Sequence, residues 1–209
     1  MPYRVTASAH RATAARRTLR RRAGSLLLGL ALAMPAVWAP AAAEPLPIDI
    51  EYQIKASFVY TVAKFVDWPS GAFASPTAPL TLGVIGDDAI SAAIAEALKG
   101  KRVHERALVV RHLPDARSAA DCQILYVDRG SATHPEILAQ VQGPGILTVG
   151  EADGFARKGG ILGLTLDQSL VQFEVNIAAA QRAGLVISSK ILRLGRVVGD
   201  ARPASEGKP

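Results

Sequence analysis

The sequence predicts an α/β protein: a single domain with a mainly parallel mixed sheet, flanked by helices, and a C-terminal antiparallel hairpin. Two observations predict this class. Between residues 80 and 151, short apolar runs alternate with helical patterns, which is typical of parallel strands joined by crossover helices. After residue 159, two strand-like runs follow each other directly, which is typical of a hairpin.

The first 43 residues precede this domain and resemble a signal peptide. Seven arginines and no acidic residue lie in the first 22 positions, an apolar run follows, and small residues allow cleavage after Ala43. A membrane anchor is the alternative, but the run is short and contains Pro35 and Pro40. We therefore expect export with cleavage near Ala43, a domain over 44–198 and a disordered tail over 199–209.

The charge of the chain belongs mostly to this leader. The whole chain has 24 basic and 18 acidic side chains. Because seven of the basic ones lie before residue 44, the rest of the chain keeps 17 basic against 18 acidic residues. No basic stripe remains, so we expect no nucleic-acid partner.

The domain opens with a predicted amphipathic helix, EYQIKASFVYTVAKFVDWP (51–69), which stops at its proline. The apolar arc holds Ile54, Phe58, Val62 and Phe65, with Val59 and Val66 on its flank.

Lys55 points into the middle of that arc, where an unpaired ammonium would be costly. It pairs either with Glu51 one turn earlier, while its stem covers apolar surface, or with an acceptor on the sheet, for which Glu174 is the candidate.

The other elements follow in order. LTLGVIGDD, RALVVRHLP, residues 122–127 and ILTVGE predict four strands; AISAAIAEALKG and ATHPEILAQVQGPG predict helices between them. GGILGLTLDQSLVQFEVN predicts a hairpin that turns at 167–169, with Val171, Phe173 and Val175 on a packed face and Gln172, Glu174 and Asn176 on a polar one. IAAAQRAG predicts a short helix closed by Gly184, and Ser188 or Ser189 caps a final helix with Ile191, Leu194 and Val198 on one side.

Residues for catalysis or metal binding do not cluster in the sequence. His10 leaves with the leader, and His104, His112 and His134 are not at metal-ligand spacing. A P-loop and a nucleophile elbow are both absent. We therefore predict no enzyme, no cofactor and no metal.

Two weaker signals stay open. Gly83 and Gly86 end a strand where an open α/β sheet can bind ligands, but two glycines are weak evidence and a tight turn is the favoured explanation. Cys122 is the only cysteine, so an internal disulfide is impossible. It is expected as a small buried hydrophobe, and pairing of two chains, as in a homodimer, is the alternative.

Five motifs, in this order, resemble the YfiR family of small periplasmic regulators over residues 50–198: IKASFVYTVAKFVDWP, LTLGVIGDD, CQILYV, ILTVGE…FARKGGILGL and VQFEVNIAAAQRAGLVISSKILRL. The resemblance implies a periplasmic repressor of an inner-membrane diguanylate cyclase, or of a related sensor kinase, that acts by contacting its periplasmic domain. It also implies an outer-membrane lipoprotein that sequesters the repressor, and thereby control of cyclic di-GMP signalling and biofilm formation. Some members carry redox-sensitive disulfides, which a single cysteine cannot form within one chain.

The candidate interface or ligand-pocket residues come from the first and last motifs: Lys55, Trp68, Glu174, Asn176 and Arg182. Glu174 and Asn176 are expected on a polar strand face, with Arg182 one short helix later. A solvated face with a helix-end cation is the competing interpretation. The alternative function is a periplasmic small-molecule sensor or carrier, because sheets of this class offer crevices at their strand ends.

Overall fold

The computed structural model describes residues 48–131, 134–141, 144–167 and 170–199, all within one compact unit. The helices in these residues are α1 (Ile48–Ala63), α2 (Asp88–Leu98), α3 (His134–Gln140), α4 (Ile177–Arg182) and α5 (Ser189–Leu192). The strands are β1 (Val66–Asp67), β2 (Leu80–Ile85), β3 (Arg102–Val103), β4 (Arg106–His112), β5 (Ile124–Val127), β6 (Leu147–Gly150), β7 (Leu162–Asp167), β8 (Leu170–Asn176), β9 (Val186–Ile187) and β10 (Arg196–Val198). None of the helices in these ranges is long and apolar enough to span a bilayer.

Two expectations fall outside these ranges. The predicted signal peptide (1–43) lies wholly outside the described residues, and so does the predicted tail after its first residue, Gly199. Both stay predictions.

Eight of the described strands form one sheet in the order β10-β8-β7-β6-β5-β2-β4-β3. Neighbours from β4 through β2, β5 and β6 to β7 are parallel, and β10 joins β8 in parallel. The pairs β7–β8 and β3–β4 are antiparallel. The predicted fold class, a mainly parallel α/β sheet with a C-terminal antiparallel pair, is confirmed.

Apolar cores lie on both faces of the sheet. Along β5, Ile124 and Tyr126 belong to a large cluster that includes α1 and α2, whereas Leu125 and Val127 belong to a smaller one with Ile137 of α3. Side chains of one strand alternate between faces, so the two clusters are separated by the sheet. This double burial explains why β2, β5 and β6 are continuous apolar runs.

The opening helix is shorter than predicted. It ends at Ala63 and not at Pro69, because Val66 and Asp67 form β1 and pair with β9. Its buried face is also rotated: Tyr52, Lys55, Ala56, Val59, Val62 and Ala63 are buried, while Ile54, Phe58 and Phe65 are only partly so.

The predicted final helix is wrong beyond its first turn. Ser188 caps α5 as expected, but α5 ends at Leu192, and Leu194 is 76% exposed. Residues 196–198 instead add β10 to the open edge of β8, where the backbone gains hydrogen-bond partners. The turn between α5 and β10 passes close to Phe173, since a Cβ at Gly195 would lie 2.2 Å from the ring of Phe173.

Candidate functional site

Lys55 lies on the buried face of α1, and its side chain is only 3% exposed. Its ammonium forms ion pairs with Glu51, one turn earlier, and with Glu151, which directly follows β6. Both predicted kinds of contact therefore exist. The predicted partner on the sheet is wrong, however: it is Glu151, and Glu174 is engaged by arginines instead.

The ion pair is part of a larger buried network at the carboxyl ends of β5 and β6. Tyr126 of β5 donates its hydroxyl hydrogen to Glu151, and Tyr52 of α1 donates to Asp128, which follows β5. The two tyrosine rings meet edge to face with centroids 6.5 Å apart. Asp128 and Glu151 are both buried. The network thus fixes α1 to two adjacent central strands.

Burial determines the protonation of this network. It raises the pKa of the Glu151 carboxyl, against the opposing effect of the hydrogen bonds from Lys55 and Tyr126. It also raises the pKa of both Tyr52 and Tyr126, with further contributions from the neighbouring carboxylates. Both phenols therefore stay protonated and act as donors. The network holds structure together and contains no activated nucleophile.

Tyr52, Tyr126, Asp128 and Glu151 were missed as site residues. A signal for two of them exists in the sequence: Asp128 and Glu151 each end a buried run, ILYVD and ILTVGE. Carboxyl ends of neighbouring parallel strands meet at one edge of a sheet, so these carboxylates had to lie close together.

Glu174 lies in a second, exposed site. Its carboxylate accepts a hydrogen bond from Arg157 Nη2 at 2.8 Å, and Arg196 Nη1 lies 3.7 Å away. Arg157 comes from the loop after β6 and Arg196 from β10. The three side chains line a cavity of about 240 Å³, together with Asp153, Thr165 and Gln172 among others. We call this group of Glu174, Arg157 and Arg196 the arginine cleft.

Asn176 is not on a polar surface, contrary to expectation. It is fully buried, and its amide donates to Ala156 O at 2.8 Å. Its side-chain oxygen accepts from Ala179 N at 2.9 Å and thereby caps α4. The strand alternation failed here because the residue that ends β8 also begins a helix.

Arg182 is separate from Glu174. It lies in the last turn of α4 and lines a different cavity of about 200 Å³, with Thr148 and Ile161 among its walls. The structure therefore does not bring the predicted Glu174–Arg182 segment together around one cavity.

Trp68 belongs to a third place in the fold. Its indole N–H donates to Gln123 O at 3.2 Å, and its ring meets those of Phe73 and His104 edge-on, each with centroids 6.4 Å apart. These rings line a cavity of about 190 Å³ together with Asp67 and others. Trp68 therefore joins the region after α1 to the central sheet, and its cavity differs from those that Glu174 and Arg182 line.

A crevice lies at the carboxyl ends of β2 and β4. The chain passes from β2 to β4 on one side and later to β5 on the other, so the strand order reverses at β2, where open α/β sheets bind ligands. A cavity of about 410 Å³ opens there, lined among others by Gly86, His112, Ser131 and Gln140. Gly86 approaches the buried network closely, since a Cβ on it would lie 3.1 Å from Asp128 Cβ.

The other predicted glycine, Gly83, is explained by packing. A Cβ there would lie 2.4 Å from Leu113 Cδ1 and 3.0 Å from Cys122 Sγ. Within the described residues, no group of three or more histidine, cysteine or acidic side chains is arranged to hold a metal ion.

Comparison with known proteins gives one broad match. A sequence model of the YfiR/HmsC-like family matches residues 52–196, a stretch that includes the buried network and the arginine cleft. No curated protein matches the chain.

Two solved structures resemble the fold at low identity. A conserved domain protein from Vibrio cholerae O1 biovar El Tor shares 12% identity, over 70% of this chain and 59% of that one, with a TM-score of 0.46. The ABC domain in complex with L-Trp from Streptococcus pneumoniae shares 13% identity, over 70% and 60%, with a TM-score of 0.45. The chain thus spans about three fifths of the length of either protein, and neither likeness bears on function. The family match covers well over half of the chain, and the protein belongs to the YfiR/HmsC-like family.

Proposed function

We propose that the protein is a non-catalytic periplasmic regulator that represses an inner-membrane diguanylate cyclase, or a related sensor protein such as a sensor kinase, by direct contact. The observation that carries this proposal is the family match over residues 52–196, because the YfiR/HmsC-like family suggests a periplasmic regulator of diguanylate cyclases. Repression would lower cyclic di-GMP and biofilm formation. An outer-membrane lipoprotein that sequesters the regulator would release the cyclase.

The arginine cleft is the contact surface that we favour. Arg157 is partly and Arg196 largely exposed, and both converge on Glu174 from different elements. A guanidinium presents a planar set of donors that suits carboxylates, so an acidic side chain of the partner can share these arginines with Glu174. The buried network does not offer such a surface, since Lys55 and Glu151 are inaccessible. It serves to hold α1 in place.

Capture from solubilised membranes tests the proposal. Tagged protein that starts at residue 44 is used as bait in four forms: wild type, Arg157→Ala, Glu174→Ala and Lys99→Ala. Lys99 is an exposed cation outside the cleft, paired with Glu96, and is the matched control. We expect wild type and Lys99→Ala to retain a membrane protein with a cyclase or kinase domain, and Arg157→Ala to lose it. Glu174→Ala should retain it, because this change leaves both arginines free for an acidic side chain of the partner.

Two results would count against the proposal in different ways. Equal capture by all four folded forms would show that the arginine cleft is not the contact surface. If no membrane cyclase or kinase is captured, and deletion of the gene leaves cyclic di-GMP unchanged, the proposed function as a regulator of such a protein is wrong.

A small-molecule sensor or carrier is the second candidate, and the crevice at the ends of β2 and β4 favours it. Its volume of about 410 Å³ lies within the range of small-molecule sites, and His112, Ser131 and Gln140 supply polar groups. Native mass spectrometry of protein purified from a periplasmic extract tests this. A small molecule that stays bound to wild type and is lost in Gln140→Ala would support the carrier function. Wild-type protein without any bound molecule, under ionisation conditions gentle enough to preserve complexes, would argue against it.

A further inference from the structure

Three lysines and two aromatic rings surround the C-terminal end of α1. The ammonium groups of Lys64 and Lys101 lie 5.5 and 5.7 Å from the centroid of the Tyr60 ring. The ammonium of Lys190 lies 5.9 Å from the centroid of the Phe65 ring. The lysines are exposed and the rings half-buried. We call these five residues the basic–aromatic patch.

The patch is assembled from three parts of the chain. Tyr60 lies in the last turn of α1, Lys64 directly follows the helix and donates its backbone N–H to Tyr60 O at 3.3 Å, and Lys101 follows α2. Phe65 comes just after α1, and its carbonyl accepts a hydrogen bond from Ser188 N at 2.9 Å, which brings α5 and Lys190 to this end of the helix. These contacts fix the five residues relative to one another.

The charge of the patch is not neutralised by the described part of the chain. Lys64, Lys101 and Lys190 form none of the ion pairs found there, whereas Lys99 is paired with Glu96 and Arg157 with Glu174. The exposed side of α1 next to the patch carries the uncharged side chains of Ser57 and Thr61. The exposed acids nearby in sequence are Asp67, Glu96 and Glu105. Glu96 is paired with Lys99 and Glu105 with Arg102, which leaves a local excess of positive charge.

We propose that the basic–aromatic patch rests on the surface of an anionic bilayer. In this arrangement the ammonium groups face lipid phosphates, and the rings of Tyr60 and Phe65 lie at the level of the headgroups. Lysines with apolar stems and aromatic rings with a half-exposed edge are the side chains that favour this interface. Val186, which is 63% exposed on the strand paired with β1, adds apolar surface.

Lipid fits the patch better than an acidic protein segment does. Lysine is a strongly hydrated point charge without the planar fork of arginine, so it suits a diffuse field of phosphates more than a shaped carboxylate. The patch spreads over α1, the loop after α2 and α5, whereas the arginine cleft concentrates its charges around one cavity. The inference goes beyond the proposed function and does not depend on it. The same patch would bind an anionic bilayer whether the protein is a regulator or a small-molecule carrier.

Vesicle sedimentation tests the inference. The protein is used from residue 44 onward, because the seven arginines before it would bind anionic lipid themselves. Vesicles of phosphatidylethanolamine with phosphatidylglycerol are compared with vesicles of phosphatidylcholine alone, at low and at high salt. We expect binding to the anionic vesicles only, weakened by salt.

The variants separate the patch from general charge. Lys64→Gln/Lys101→Gln/Lys190→Gln should bind anionic vesicles roughly 100-fold more weakly, since each lysine near such a surface is worth roughly fivefold. Arg117→Gln/Arg129→Gln/Lys158→Gln removes the same charge from exposed positions elsewhere and should bind much as wild type does. Circular dichroism is the check that both variants are folded.

Three outcomes would overturn the inference: no binding of wild type to anionic vesicles, equal binding to both kinds of vesicle, or equal weakening in the two triple variants. If wild type ignores vesicles but the patch variant loses a captured membrane protein, the patch serves a protein partner and the membrane inference is wrong.

Discussion

Lys55 and Glu151 form an ion pair, buried on both sides, that joins the opening helix to the end of a central strand across 96 positions of sequence. A buried pair of this kind adds little net stability compared with an apolar pair of the same volume. Removing one partner is costly, because the other charge is then left without compensation. The pair therefore acts mainly by fixing where α1 lies on the sheet.

Replacing either partner should destabilise the fold, and the loss of Lys55 should cost more. We expect Lys55→Met to lower the free energy of unfolding by about 3–5 kcal/mol, since it leaves the buried Glu151 carboxylate without its cation. Glu151→Gln should cost less, because Lys55 keeps its ion pair with Glu51. The double variant should lose less than the sum of the two, with a coupling above ~1 kcal/mol. Unfolding in guanidinium chloride, followed by circular dichroism, measures all four forms of this cycle.

Two matched cycles serve as controls. Lys99 and Glu96 form an exposed pair at 3.3 Å, and Lys99→Met with Glu96→Gln should couple by only about 0.2–1 kcal/mol. Lys55→Met with Glu174→Gln should be additive, because arginines engage Glu174. Additivity between Lys55 and Glu151 would show that the buried pair does not anchor α1.

How much of the fold the sequence reveals depends on how local each signal is. β2, β5 and β6 were predictable because burial on both faces leaves a continuous apolar run. β10 was not, because residues 196–198 become a strand only through β8, whose Glu174 is the register partner of Arg196. The helical spacing of apolar residues after Ser188 could not reveal the pairing of β10 with β8.

The site shows the same limit. A lysine on an apolar arc is a local anomaly, so Lys55 could be singled out from the sequence alone. Its partner could not, because several acids lie at distant positions and only the sheet decides that Glu151 is the near one. The alternation along the hairpin predicts an acceptor on its polar face, whereas the acceptor lies at the end of β6.

The stability of the protein should depend on the ionisation of Glu151. Burial raises the pKa of this carboxyl above its ordinary value of 4.5, so the folded chain holds a proton that the unfolded chain has already released. This contribution to stability is present at low pH and is lost as pH rises from about 4.5 through the raised value. Relative to Glu151→Gln, wild type should therefore lose unfolding free energy over this range, as denaturant titrations at several pH values will measure. A relative gain with rising pH would mean that Lys55 outweighs burial.

Tyr52 and Tyr126 should make the protein sensitive to alkali. Their pKa values lie above the ordinary 10.0, so above roughly that pH the unfolded chain loses phenolic protons that the folded chain keeps. Stability must then fall as pH rises. We expect tyrosinate absorbance from these two residues to appear together with unfolding, and Tyr52→Phe to flatten the alkaline part of the stability curve. Ionisation of Tyr126 in a chain that is still folded would contradict this.

Cys122 should be inert in the folded protein. Its side chain is buried against the strand that carries Gly83, and burial raises the pKa of its thiol. Because the thiolate is the reactive form, a thiol reagent should modify the native protein slowly and the unfolded protein at once. Oxidation of native protein should give no disulfide-linked pair of chains on a non-reducing gel. Rapid modification of one thiol per native chain would show that Cys122 is accessible. A homodimer linked through Cys122 would then again be a possible alternative.

Asn176 should matter for stability and not for partner binding. Asn176→Ala removes the cap of α4 and the amide donor to the Ala156 carbonyl, which keeps the longer hydrogen bond from Gly159 N at 3.3 Å. The combined cost should be roughly 2–3 kcal/mol. Asp87→Ala at the exposed cap of α2 is the matched control and should cost about 1 kcal/mol, because only a cap is lost. Asn176→Asp keeps the cap but loses the donor to Ala156, so it should stay well below wild type in stability. If Asn176→Ala costs no more than Asp87→Ala and yet abolishes capture of the membrane partner, Asn176 belongs to the docking surface, as the motif first indicated.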